Sequence, residues 1–125
     1  MRDRATEIYL KQMAKKRAPV LAEAERLIRA GDYDAAETAL MNADRAIEAY
    51  LELAEVYKRL TTEAVQSGSL NREQLAELAR RAVRWTSGCY PEPHTEYEAA
   101  DQERWWKETR HAYTTLVGFD PTAAP

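Results

Sequence analysis

The sequence predicts an all-α fold, a compact antiparallel bundle of four to five helices with one long central helix. Three observations predict it. Ala, Glu, Leu and Arg dominate a chain of 125 residues that holds only 4 Gly and 5 Pro, a composition that favours helix over strand. Apolar residues recur at intervals of three and four along most of the length, the period of a helix with one buried side. Glycines at 31, 68, 88 and 118 fall where those periodic stretches end, the position at which a helix needs a left-handed residue. The length suits one domain, read here as residues 1–118 with 119–125 as a C-terminal tail.

The first periodic stretch covers residues 3–30, with Ile8, Tyr9, Met13, Val20, Leu21, Ala24, Leu27 and Ile28 at helical spacing. Pro19 lies inside it and predicts a break or kink, because proline removes one hydrogen bond and crowds the preceding turn. Gly31 and the turn Asp32-Tyr33-Asp34 then reverse the chain into a helical hairpin. The next helix is expected from about Asp34 to Ser67, with a packing seam through Leu40, Ala43, Ile47, Tyr50, Ala54, Tyr57, Thr61 and Ala64. A second stripe of Leu53, Val56 and Leu60 makes this the central helix, and Met41-Asn42-Ala43-Asp44 is its weakest place.

After Gly68, Asn71 with Gln74 predicts a capping box, and Leu70 with Leu75 a hydrophobic staple. Leu75, Leu78, Ala79, Ala82, Val83 and Trp85 give that helix its apolar side. The loop Cys89-Tyr90-Pro91-Glu92-Pro93-His94 follows, and Thr95 with Glu98 predicts a second capping box for a last helix over 96–117. Phe119-Asp120-Pro121 reads as a turn leading into a loose tail.

Composition also bounds function. No apolar run approaches the roughly 18 residues of a membrane span, and the charged stretch MRDRATEIYLKQ does not suit a signal peptide, so a cytoplasmic protein without a membrane partner is expected. Cys89 is the single cysteine, which excludes an intramolecular disulfide. Cys89, His94 and Glu98 lack the further ligands a zinc site needs, and no metal or cofactor is expected. The net charge of −3 gives no global attraction to nucleic acid. Its distribution is uneven, with Arg2, Arg4, Lys11, Lys15, Lys16 and Arg17 set against only Asp3 and Glu7 in the first seventeen residues.

Residues 21–47, LAEAERLIRAGDYDAAETALMNADRAI, resemble a single tetratricopeptide (TPR) hairpin. Gly31, Asp32 and Tyr33 match the family's turn, and Ala24, Ala36 and Ala43 its small contact positions. Glu23 and Glu48 depart from it, standing where the family has leucine and a terminating proline. The resemblance implies protein binding. Arg104 and His111, with six residues between them in ADQERWWKETRHAY, are similar to the Arg-x6-His motif of HEPN-type helical ribonucleases. That likeness implies a phosphate grip by Arg104 and proton transfer by His111, although Trp105 stands where the family usually has a small polar residue.

The adjacent pair Trp105 and Trp106 needs its own account, since neighbouring helical residues point about 100° apart. Trp105 shares a stripe with Ala112 and Leu116, and Trp106 with Tyr113 and Val117. One tryptophan is expected in the core and the other at an interface; the expectation is Trp105 inside and Trp106, beside Tyr113, as the anchor. Together these signs predict a non-enzymatic protein-interaction module, an adaptor, inhibitor or regulatory subunit. Its binding residues would be Trp106, Tyr113, Lys15, Lys16, Arg17, Asp32 and Asp34, and its partner a protein, with a homodimer as one form. A HEPN-like ribonuclease or its inactive partner in a toxin pair, using Arg104 and His111, comes second. A nucleic-acid-binding regulator working through the basic first helix comes third.

Overall fold

A computed structural model describes residues 3–43, 47–87 and 96–123. Five helices follow in order: α1 Arg4–Arg29, α2 Tyr33–Ala43, α3 Ile47–Ser67, α4 Arg72–Thr86 and α5 Glu96–Val117, with no strand among the described residues. The all-α class is therefore the one its composition and periodicity predict. The chain divides into two compact units, Met1–Tyr50 and Leu51–Pro125, the boundary falling at the end of the first turn of α3.

The first unit is built on the α1·α2 hairpin. Asp3 caps α1, its side chain accepting from the Thr6 amide at 2.7 Å, and that bond holds the Asp3 carboxyl below its ordinary pKa. Of the expected break or kink, the break does not occur: α1 runs unbroken through Pro19. The reason lies in where the proline sits. Lys15, whose carbonyl loses the Pro19 amide, and Pro19 itself are both exposed, so water can take up the freed acceptor.

At its other end α1 closes in a Schellman motif. The Asp32 amide donates to the Leu27 carbonyl at 2.8 Å and the Gly31 amide to the Ile28 carbonyl at 3.0 Å, while Gly31 takes φ 84, a conformation that favours glycine. The hairpin core is Ala24 and Ile28 against Ala36 and Leu40, all buried. Two small residues let the helices approach, and the two large ones each contribute about 1.5–3 kcal/mol of burial.

The helix expected from Asp34 to Ser67 is carried by α2 and α3. Helix α2 ends at Ala43, within the stretch read as weakest, and residues 44–46 lie outside the described residues. On α3, Ala49, Leu53, Ala54, Val56, Tyr57, Leu60, Thr61 and Ala64 are buried. At about 100° per residue they fill an arc of roughly 160°, so the two stripes merge into one broad face. Thr61 brings a hydroxyl into that face and satisfies it by donating to the Tyr57 carbonyl at 2.7 Å.

Helix α4 starts as its sequence dictates. Asn71 accepts from the Gln74 amide at 2.8 Å and Gln74 returns the bond to the Asn71 amide at 3.0 Å, the capping box. Leu70 and Leu75 are both half-buried beside it. Leu78, Ala79, Ala82, Val83 and Trp85 form the buried side. Helix α5 packs on α4 and ends at Gly118, φ 88. Cys89, His94 and Thr95 lie outside the described residues, as does the Glu98 side chain, and the second capping box with them.

Phe119-Asp120-Pro121 forms a turn, as its sequence predicts, and the turn packs on α4; of the tail expected after it, residues 124–125 lie outside the described residues. Pro121 is fully buried, its carbonyl accepts from Arg80 Nε at 3.1 Å, and the Arg72 guanidinium lies 4.1 Å from the Phe119 ring centroid. Asp120 closes the turn by accepting from the amide and hydroxyl of Thr122, at 2.9 and 2.7 Å, and these bonds hold its carboxyl below the ordinary range. The segment stays because α4 supplies two arginines with aliphatic stems and planar donors to fold back upon.

Candidate functional site

Helix α5 presents one line of residues to the protein and others to solvent. Tyr113 fixes the inward line: it is 5% exposed, its hydroxyl stands 3.5 Å from Thr86 Oγ1 of α4, and burial pushes its pKa up. Trp106 lies seven residues earlier, about two turns, and so falls on nearly the same line. It is half-buried, and the Arg110 guanidinium lies 5.0 Å from its ring centroid.

Trp105 is rotated about 100° from Trp106 and remains 44% exposed. This reverses the expected assignment of the pair. Trp105 is the surface residue, Trp106 turns inward, and Tyr113 belongs to the core rather than flanking an anchor. A signal for this was present in the sequence. Tyr113, the larger residue, shares the Trp106 stripe, whereas the Trp105 stripe continues through small Ala112, which is exposed, to half-buried Leu116.

Charged groups frame the exposed stripe. Arg104 reaches the Asp101 carboxylate at 3.1 Å, and its guanidinium carbon lies 5.9 Å from the Trp105 ring centroid. Lys107 pairs with Glu103 at 3.3 Å on the far side of the helix from Trp105. His111 is exposed on the same outer edge as Arg104, two turns along, or about 10.5 Å in rise. Such a separation needs a substrate that bridges both groups if they are to act together.

The other candidate residues scatter. Lys15 and Lys16 are exposed, but Arg17 is 5% exposed and is lost to a basic surface. Helical arithmetic explains it, since Arg17 lies seven residues before Ala24 and eleven before Ile28, on the packed side of α1. Asp32 and Asp34 are exposed at the hairpin turn, where the Asp32 carbonyl accepts from the Ala36 amide at 3.1 Å. Among the described residues no group of three His, Cys, Asp or Glu side chains could hold a metal ion, and no helix is long and apolar enough to cross a membrane.

The α5 surface thus combines a wide aromatic ring, an arginine held against it and a strip of small and aliphatic side chains. Aromatic and arginine side chains set in apolar surroundings are the groups that carry most energy in protein contacts. Comparison with family models, with curated proteins and with solved structures finds no match for the chain.

Proposed function

We propose that the chain is a non-enzymatic interaction module that binds a protein partner through the outer stripe of α5, Trp105, Ala112 and Leu116, with Arg104 at its edge. One observation carries the reading: a tryptophan 44% exposed in line with a small and an aliphatic residue, on a helix whose other side is already committed to α4. A tryptophan left so exposed holds apolar area and an indole N–H donor ready for a contact that is partly wet. Arg104, already drawn to Asp101 and the ring, loses little side-chain freedom when a partner carboxylate or carbonyl arrives.

The test is retention of the partner by immobilised wild-type protein and by Trp105→Ala, both checked for equal helicity. The wild type retains a defined protein that Trp105→Ala releases. Equal retention by both would place the interface elsewhere, and retention of RNA that is then cleaved would replace a binding module with a nuclease.

A further inference from the structure

Trp105 is one of four large apolar side chains exposed on the described surface; the other three, Ile8, Tyr9 and Leu51, lie on α1 and α3. Ile8 is 47% and Leu51 60% exposed. Each sits between two charges of one sign. On the outward side of α1 the order is Arg4, Ile8, Lys11, and on the outward side of α3 it is Glu48, Leu51, Glu55. Arg4, Lys11 and Glu55 are exposed and Glu48 is half-exposed. None of the four charged residues makes an ion pair with a described residue.

The spacings match in reverse. Arg4, Ile8 and Lys11 step by four then three, and Glu48, Leu51 and Glu55 by three then four. Two antiparallel helices read one another backwards, so Lys11 falls opposite Glu48, Ile8 opposite Leu51 and Arg4 opposite Glu55. Both triplets extend over seven steps of the helix, about 10.5 Å of rise, so all three pairs come level at once. We infer that α1 of one copy docks antiparallel on α3 of a second copy through these three pairs.

Charge complementarity selects that occupant. Either face laid on its own counterpart would set cation against cation or carboxylate against carboxylate, which flanking charges on paired helices select against. Only the α1 face meets the α3 face with opposite signs at both ends and an apolar pair between them. Each copy carries both halves, so no foreign partner is required.

Sedimentation of the full chain over a dilution series tests this, using the single variants Lys11→Glu and Glu48→Lys. The wild type is expected to self-associate, and the association to reverse on dilution. Each variant alone is expected to associate at least about tenfold more weakly, because reversed pairs repel. An equimolar mixture of the two variants should associate again, since the carboxylate introduced on α1 of one copy then meets the ammonium introduced on α3 of the other. Circular dichroism of each variant checks that the helices persist; if either loses helicity, Arg4→Glu with Glu55→Arg runs the same exchange at the other end. A wild type that stays monomeric at its highest soluble concentration overturns the inference. So does an association that neither reversal weakens, or a mixture of folded variants that fails to associate.

Discussion

Truncation of Trp105 and of Tyr113 to alanine separates the surface of α5 from its packed side. Tyr113 is 5% exposed, and removing a buried aromatic side chain costs about 3–5 kcal/mol. Trp105 is 44% exposed, so roughly half its area is removed from water; that half also borders solvent and relaxes freely, which brings the expected cost to about 1 kcal/mol. For a domain of 60–100 residues each kcal/mol moves Tm by about 4–8 °C. Thermal melts followed by circular dichroism should therefore shift by less than about 8 °C for Trp105→Ala and by more than about 12 °C for Tyr113→Ala. Tyr113→Phe supplies the control: its hydroxyl lies 3.5 Å from Thr86 Oγ1, a long contact, and its loss should cost no more than about 0.5 kcal/mol. Equal destabilisation by Trp105→Ala and Tyr113→Ala would show that Trp105 is structural and would remove the basis for an interface there.

Asn71→Ala opens the capping box and should cost about 1 kcal/mol in denaturant unfolding, while Asn71→Asp should restore most of it. Truncation after Gly118 removes the Pro121 burial, the Arg80 bond to its carbonyl and the Arg72 contact with Phe119; a drop in Tm is expected, with Phe119→Ala alone accounting for about 0.5–1 kcal/mol. A truncated chain that melts like the full one would show that these contacts contribute nothing to stability. Arg104→Ala and His111→Ala are expected to leave Tm within about 4 °C of wild type, since both side chains are exposed. RNA cleavage by wild type and not by His111→Ala would establish the nuclease reading.

The legible parts of the fold are those in which a short pattern fixes its own geometry. Asn71 and Gln74 bond each other across three residues, and the turn at Gly31 closes α1 with bonds to its own last residues, so neither depends on distant contacts. Rotation of α5 could not be read the same way. Its apolar residues occupy two neighbouring stripes, and the one local sign of which turns inward was large Tyr113 on one against small Ala112 on the other, which the packing on α4 resolves. Arg17 misleads for a related reason: Lys15, Lys16 and Arg17 form a basic run in sequence, yet on a helix the third residue turns about 200° from the first and lands on the side that carries Ala24 and Ile28. The C-terminal turn was legible but its packing was not, because that comes from Arg72 and Arg80, about forty residues or more away, and nothing local in Phe119-Asp120-Pro121 announces them.

The two proposed surfaces use different residues, and this gives each a control in the other. Trp105 belongs to neither charged triplet, so Trp105→Ala should lose the protein partner while sedimenting as wild type does. Lys11→Glu and Glu48→Lys leave α5 untouched, so each should retain the partner as a monomer. If Trp105→Ala instead abolished self-association and the charge reversals did not, the exposed tryptophan would itself be the contact between copies. The separate protein partner would then be unnecessary, because burial of Trp105 in a homodimer would account for the one observation on which that partner rests.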